Sequence, residues 1–472
     1  EITVVYTDDA QPPTVGLQPS GTVSVLAPGS VSLTATASDN LGVARVEFYL
    51  GGTKVAEDTS PPYQYLTQAF SAANNGQSFS YQARSFDFAD NASDPSAAAV
   101  FNINLQPLQQ VGNEIPLGTL AEASLGQAAL AVGTSNFFLA YTAQGDTDNS
   151  SDVVVRKLSG TNWNLEGGPL DAAGASGADP SAIGPQPYVA YSEFYAGDKV
   201  YVRRLGTTWE GVGAALNENP SNNAQQPKLA LRNGQPVVAF VEYSALPEVL
   251  VKEWTGSQWR ALDGMTAGLK VSAGVESSSP SIGVDSSGQV IVAYLENAKT
   301  VRVKRWNGSS WQSLGSALNL DATRKADSPA LAVAGSDIVV AFVEQNPSAK
   351  FQLQVKHWDE TGAQWQLLSS PGLNQDSSQH AISPKAVVDA QGRITLVWVE
   401  NKSLYMKHYA GGTWSLLGGT ALNVRNTHTA ADPDLVLSGN NPVVAWREFA
   451  FVNQGTAVFA EIYVQVKQAT LN

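Results

Sequence analysis

A chain of 472 residues with 43% hydrophobic content can bury more than one packed core, and its formal charge of −14 disfavours nucleic acid as a partner. It contains no cysteine, which excludes disulfides, thiolate metal sites and cysteine nucleophiles. No run approaches the roughly 18 apolar residues of a spanning helix, so direct membrane insertion is not expected, and the chain opens on Glu1 rather than Met, as a processed or excised chain would.

Composition shifts along the chain. All eleven tryptophans lie from Trp163 onward, while residues 1–107 carry ten acidic and three basic residues. These shifts place a domain boundary near Gln106-Pro107, with a linker at 108–112. Within the front segment, short alternating apolar runs over Ser30 to Ser38, Ala44 to Leu50, Tyr63 to Phe70, Phe79 to Phe88 and Ala97 to Leu105 predict strands. In one of them Ala44, Val46, Phe48 and Leu50 are expected to face a core and Arg45 and Glu47 solvent, and Gly51-Gly52 supplies a hairpin turn. About seven strands in a hundred residues predict a β-sandwich. The run Ala35-Thr36-Ala37-Ser38-Asp39-Asn40-Leu41-Gly42-Val43, with Val46-Glu47-Phe48-Tyr49 and Ala83-Arg84-Ser85-Phe86-Asp87, resembles bacterial Ig-like modules of surface proteins and secreted enzymes. That resemblance implies a spacer or adhesive stalk. Asp39 and Asp87, with Asn40 and Asn91, have two readings: oxygen ligands for calcium, or turn residues bonded to their own backbone.

From residue 113 a unit of about fifty residues recurs. Its clearest copy is Ser281-Ile282-Gly283-Val284-Asp285, Val290 to Glu296, Val301 to Trp306 and Trp311 to Gly315, four short strands with an Asn307-Gly308 turn before the last. Fourth-strand tryptophans stand at Trp163, Trp209, Trp259, Trp311, Trp365 and Trp414, and second strands can be counted seven times. The last copy ends after its third strand, whereas Leu117-Gly118 matches a fourth strand with no copy before it, so the two ends are expected to complete one another. One unit is one propeller blade. The repeat resembles the tryptophan-bearing repeats of bacterial seven-bladed propellers, including secreted lectins and surface proteins. The expected fold class is therefore all-β: an Ig-like β-sandwich over 1–107, then a seven-bladed β-propeller over 113–472 closed between its N- and C-terminal strands.

Residues that recur in every blade serve the fold. On that ground the glutamates ending the second strands, Glu193, Glu242, Glu296, Glu344, Glu400 and Glu448, read as structural, and in blades two to six they are expected to pair with third-strand Arg203, Lys252, Lys304, Lys356 and Lys407 across neighbouring strands, blade seven having Gln465 at that place. The tryptophans read mainly as packing between blades, although an exposed outer set, Trp209, Trp311 and Trp414 among them, would offer repeated stacking sites for sugars. Non-repeated aromatics in the connecting loops, Phe194, Tyr195, Tyr243, Phe449 and Phe451, are candidate ligand contacts, and Phe449-Ala450-Phe451-Val452 reads as an apolar loop tip. Asp146, Asp148 and Asp152 alternate as in calcium loops but lack the glycine and closing glutamate of an EF-hand. Of four histidines, His357 and His408 share a repeat slot and His380 and His428 lie between blades, and no Gly-x-Ser-x-Gly elbow or sialidase Asp-box is present.

These features favour a secreted or cell-surface binding or adhesion protein, with the propeller recognising a glycan or a cell-surface protein, within a larger surface assembly or alone. The alternatives are a secreted carbohydrate-active hydrolase or lyase with its site in the funnel, and a purely structural envelope subunit. Calcium is the one cofactor the residues suggest.

Overall fold

The computed structural model describes residues 9–25, 29–70, 74–104, 108–120, 128–133, 136–144, 150–195, 197–262, 269, 274–370, 372–454, 457–469 and 471. Contacts divide the chain into two compact units: residues 1–107 with 407–420 and 471, and residues 108–406 with 421–470 and 472. Both are all-β, and among the described residues no helix is long and apolar enough to cross a membrane.

The first unit holds two sheets. Thr14–Gln18, Ser32–Ser38 and Tyr63–Leu66 form one; Gly21–Val25, Ala99–Ile103, Ser78–Asp87, Val43–Leu50 and Thr53–Asp58 form the other, in that order. Gly51 and Gly52 both take positive φ, the conformation that a two-residue hairpin turn between Leu50 and Thr53 requires. Alternation along the strands sends Leu33, Ala35, Val46, Phe48, Tyr81 and Phe101 into one core. Glu47, expected to face solvent, is instead buried. Arg45, Tyr49 and Lys54 close over it and each donates a hydrogen bond to its carboxylate. Burial alone would raise its pKa, but these donors hold it at about 2.

From residue 108 onward the described residues form seven antiparallel sheets, here numbered one to seven: residues 128–165, 176–211, 223–261, 277–313, 326–367, 381–417 and 429–468. The first six run in chain order from first to fourth strand. In sheet seven the order is Thr429–Ser438, Asn441–Gln454 and Ala457–Gln468, and the fourth place is taken by Ile115–Leu120. Glu114, beside that segment, receives both terminal nitrogens of Arg425 at 2.6 Å and the amide of Gln465 at 3.0 Å, and the Arg425 guanidinium lies 3.5 Å from the centroid of the Tyr463 ring. Sheets one and seven also bond directly, since Leu130 N–H donates to Asp434 Oδ2 at 2.7 Å.

The second strands are the most buried elements. Tyr191, Phe240, Tyr294, Phe342, Trp398 and Trp446 are fully enclosed. The fourth-strand tryptophans pack onto the preceding sheet, where the indole N–H groups of Trp209, Trp259 and Trp365 donate to the carbonyls of Glu166, Val212 and Leu314. A side chain that spends its one donor on the neighbouring sheet fastens the two together.

The recurrent glutamates do not pair across strands with the basic residues. The register puts Arg203 opposite Val189, Lys252 opposite Val238, Lys304 opposite Val292 and Lys356 opposite Val340, about four residues, or roughly 13 Å, from the glutamate on the same strand. Glu296 is held by Arg302, another third-strand residue of its own sheet, whereas Glu193 accepts from Ala172 N–H and the other four turn to the connection arriving from the preceding sheet. Glu242 accepts the N–H groups of Glu218 and Asn219, Glu344 those of Leu320 and Asp321, Glu400 those of Gln375 and Asp376, and Glu448 those of Val424 and Arg425. Two backbone donors on one buried carboxylate satisfy groups that would otherwise be stranded. The basic residues find other partners: Arg203 reaches the Tyr191 hydroxyl and Lys252 the carboxylate of Glu218.

A second latch recurs in the same connections as a Leu-Asn pair. The leucines Leu216, Leu318, Leu373 and Leu422 are buried, and each following asparagine bonds the backbone on both sides. Asn319, for example, accepts from Val301 N–H and donates to the carbonyls of Lys299 and Arg324. After sheet one the pair is Leu170-Asp171. Asp171 Oδ1 accepts from Val153 N–H, but Oδ2 is buried with no donor, and burial pushes the carboxyl up to about 6.

Two outcomes follow. A carboxyl with a folded-state pKa above its unfolded value binds more proton when folded, so its contribution to stability falls as pH rises from about 4 to about 6 and stays low beyond. Asp171→Asn, which introduces the amide that four other connections carry, should stabilise the second unit by on the order of 1–2 kcal/mol at pH 7–8, with the gain shrinking toward pH 4 in thermal melts across that range. Deleting residues 113–120 uncovers the edge of Ala457–Gln468 and should lower the melting temperature of the whole second unit in one cooperative step, read by calorimetry.

Candidate functional site

The first strands of six sheets share a defect. Between Ala178 and Ser181, Gln225 and Lys228, Ser278 and Ser281, Asp327 and Ala330, Ile382 and Lys385, and Ala431 and Asp434 the register shifts by a bulge. Each bulge holds a residue with φ near +50° followed by proline: Asp179, Gln226, Ser279, Ser328, Ser383 and Asp432. Proline has no N–H to lose from the ladder, so a bulge is where a strand tolerates it. The residues after the prolines, Ser181, Lys228, Ser281, Ala330, Lys385 and Asp434, all line one central cavity of about 360 Å³. A second cavity, of about 320 Å³, is lined by the bulge residues themselves and shares Lys228 and Lys385 with the first. Together they make a channel bordered by all seven first strands, polar at its bulged end and apolar toward Val132, Ile183, Leu331 and Leu437.

The shared layer is the narrow part of the chemistry. Ser181 and Ser281 hydroxyls accept the N–H groups of Leu229 and Leu331 on the following sheets, and Asp434 does the same for Leu130. Lys228 has no such role. Burial, and after it the charge of Lys385, hold its amine down at about 8, with Asp179 and Asp434 offsetting part of the effect.

The bulged end is also the end at which the second strands finish. Phe194 pairs with Ser176, Tyr243 with Asn223 and Phe449 with Thr429, each at the start of its first strand. Tyr243 stands near Asp179 and Asp198, whose charges add to burial in raising its hydroxyl pKa. Arg447 bonds Asp432 at the channel mouth and lies 4.9 Å from the Phe449 ring centroid. Phe449 in turn meets Phe451 edge to face at 5.8 Å. Tyr195 and Phe451 are exposed, at 72% and 66%, while Phe194, Tyr243 and Phe449 are half-buried. Phe449 to Val452 are not a loop tip, since the strand continues to Gln454 and pairs with Ala457–Gln468 throughout. The sheet hydrogen bonds extend the hairpin beyond its neighbours and hold Phe451 on a strand.

The remaining candidates are dispersed. Trp209, Trp311 and Trp414 are half-buried; Trp311 packs on Trp306 and Trp414 on Tyr409. Asp146 and Asp148 lie outside the described residues, and Asp152 sits in the strand Ser151–Ser159 with a hydrogen bond from Ser150. In the first unit Asp39, Asp87 and Asp9, the last of which sequence reading passed over, each bring a carboxylate oxygen within 4.8 Å of the others. Asp39 already accepts from Leu41 and Gly42 N–H, and Asp87 from Ala89, Asn91 and the Asn91 amide, as turn residues do. His357 bonds Asp337, His380 accepts from Phe351 N–H, and His428 packs edge-on against Tyr463, so the three histidines serve separate local contacts.

Residues 13–83 match the model of a bacterial Ig domain. Fibronectin(III)-like modules of Clostridium thermocellum CbhA are 26% identical over 20% of this chain and 98% of theirs, with a TM-score of 0.17. The polysaccharide lyase Uly1 is 10% identical, covering 77% of this chain and all of its own, with a TM-score of 0.50. The fucose-specific lectin of Aleuria aurantia is 12% identical over 65% of this chain and 99% of its own, with a TM-score of 0.39. No curated protein sequence matches the chain. The chain is thus an all-β protein with an N-terminal bacterial Ig domain, and its structural neighbours include propeller lectins and carbohydrate-active propellers.

The channel layer makes a further outcome measurable. A cation whose folded-state pKa lies below its unfolded value gives up its proton more readily when folded, so its contribution to stability rises as pH climbs from about 8 to about 10.5. Lys228→Met should remove that rise and leave the second unit more stable than the parent at pH 7, measured as melting temperature against pH.

Proposed function

We propose that the second unit is a closed seven-bladed β-propeller serving as a recognition platform of a secreted or cell-surface protein, with the bulged end of its channel as the binding face and a glycan as ligand. Closure is supported by the pairing of residues 115–120 with Ala457–Gln468 and by the bond from Leu130 to Asp434. The observation that carries the ligand class is the rim. Exposed Tyr195 and Phe451, with half-buried Phe194, Tyr243 and Phe449, stand at the strand ends that also hold Asp179, Asp198, Asp432 and Arg447. Aromatic faces beside charged hydrogen-bonding groups suit sugars, whose C–H faces stack while their hydroxyls bond. Phe194, Tyr243 and Phe449 share one repeat position in sheets two, three and seven, where sheets four, five and six carry Asn297, Gln345 and Asn401, so the aromatics gather on one part of the rim. The bacterial Ig domain fits a spacer or stalk that presents the propeller.

A glycan-array screen of the full chain, run with and without calcium, should identify a bound class. Against that glycan, Phe451→Ala and Tyr195→Ala should each weaken binding at least about tenfold without moving the melting temperature, because both side chains are exposed. Binding to no glycan, or binding indifferent to both substitutions, defeats the proposal.

A further inference from the structure

The rim leaves the channel's central layer unexplained. Six equivalent positions follow the six bulge prolines, and three of them carry charge: Lys228 from sheet three, Lys385 from sheet six and Asp434 from sheet seven. Serine, alanine or any small residue would complete the layer, as Ser181, Ser281 and Ala330 do. Two lysines bordering one cavity are costly where they meet, because burial and the charge of Lys385 both disfavour the Lys228 ammonium. Asp434 does not discharge both: it is one carboxylate, and its Oδ2 is taken by the Leu130 N–H. The acids above the layer are engaged elsewhere, Asp432 by Arg447, while Asp179 is close enough to act on Lys228 only through its field. Among the described residues neither lysine makes a hydrogen bond or ion pair, and both border each of the two cavities. The layer therefore holds one more positive charge than negative, in a channel that is polar on one side and apolar on the other.

We infer that the layer between Lys228 and Lys385 is an oxyanion site, taking a carboxylate or sulfate group that accepts from both ammonium groups. The two donors come from different sheets, so an anion held there also ties sheets three and six together across the channel. The volume on either side admits the group as a free ion or as the charged end of a larger ligand entering from the bulged mouth. Ser181 and Ser281 lie in the same layer with hydroxyl hydrogens left to donate, since their oxygens act as acceptors toward Leu229 and Leu331.

The test uses the full chain, with inorganic sulfate, acetate and glucuronate titrated at constant ionic strength against chloride at pH 7. Calorimetric titration should give sulfate a Kd below about 1 mM, and sulfate should raise the melting temperature of the second unit. Lys228→Met and Lys385→Met should each weaken sulfate at least tenfold, and Lys228→Arg should retain it. Glucuronate binding more tightly than acetate assigns the site to a sugar-borne carboxylate; equal binding assigns it to a free ion. An equal response to sulfate in the double variant K228M/K385M and the parent, or an equal shift from chloride alone, overturns the inference. Because the sulfate arm does not involve Phe451 or Tyr195, its failure is distinguishable from failure of the rim reading.

Discussion

Every sheet of the second unit has a free edge, and the structure depends on how those edges are finished. In sheet seven a segment from the beginning of the chain, Ile115–Leu120, supplies the fourth strand against Ala457–Gln468, which lie more than three hundred residues later. An unpaired strand edge is a row of unsatisfied donors and acceptors, so this pairing removes an aggregation surface and joins the two ends of the repeat array. Arg425, Glu114, Tyr463 and Gln465 gather at that junction, and their charge-assisted bonds fix the register of the joining strand.

The connections between sheets face a related problem. Their backbone N–H groups turn inward and need acceptors that no neighbouring strand provides. Four of the second-strand glutamates meet that need two donors at a time, and the Leu-Asn pairs meet it from the other side. Because these groups recur, the connections at the bulged end are anchored alike, and the side chains that differ between sheets become the variable part. Asp171 is an acid placed where four other connections carry an asparagine, and its buried oxygen without a donor is a local weakness.

The prolines of the first strands do a different job. Each bulge shifts the strand by one residue and brings the next side chain to the channel, so the X-Pro bulge sets both the bore of the channel and what lines it. The charged layer at Lys228 and Lys385 is a product of that geometry. The rim aromatics depend on the other end of the same strands, where Tyr243 and Phe449 pair with the first residues of theirs.

Much of this was legible in the residues themselves. Period-two alternation identified the strands, Gly51-Gly52 a hairpin, and the recurrence of tryptophan the repeat, because each reflects a local rule that acts over a few residues. The orphan Leu117-Gly118 even marked the joining strand. What the sequence could not carry was the partner of a side chain. Glu47 alternates as a solvent-facing residue yet is buried, because Arg45, Tyr49 and Lys54 converge on it from two strands. The glutamates look poised for third-strand lysines, but the register places them four residues apart and turns them toward backbone. Lys228 and Lys385 are 157 positions apart and share no motif beyond a preceding proline. Local chemistry therefore determined the strands, the turns and the repeat, while the meeting of two cations in one channel was decided by tertiary structure, since only the packing of separate sheets brings distant first strands to a common cavity.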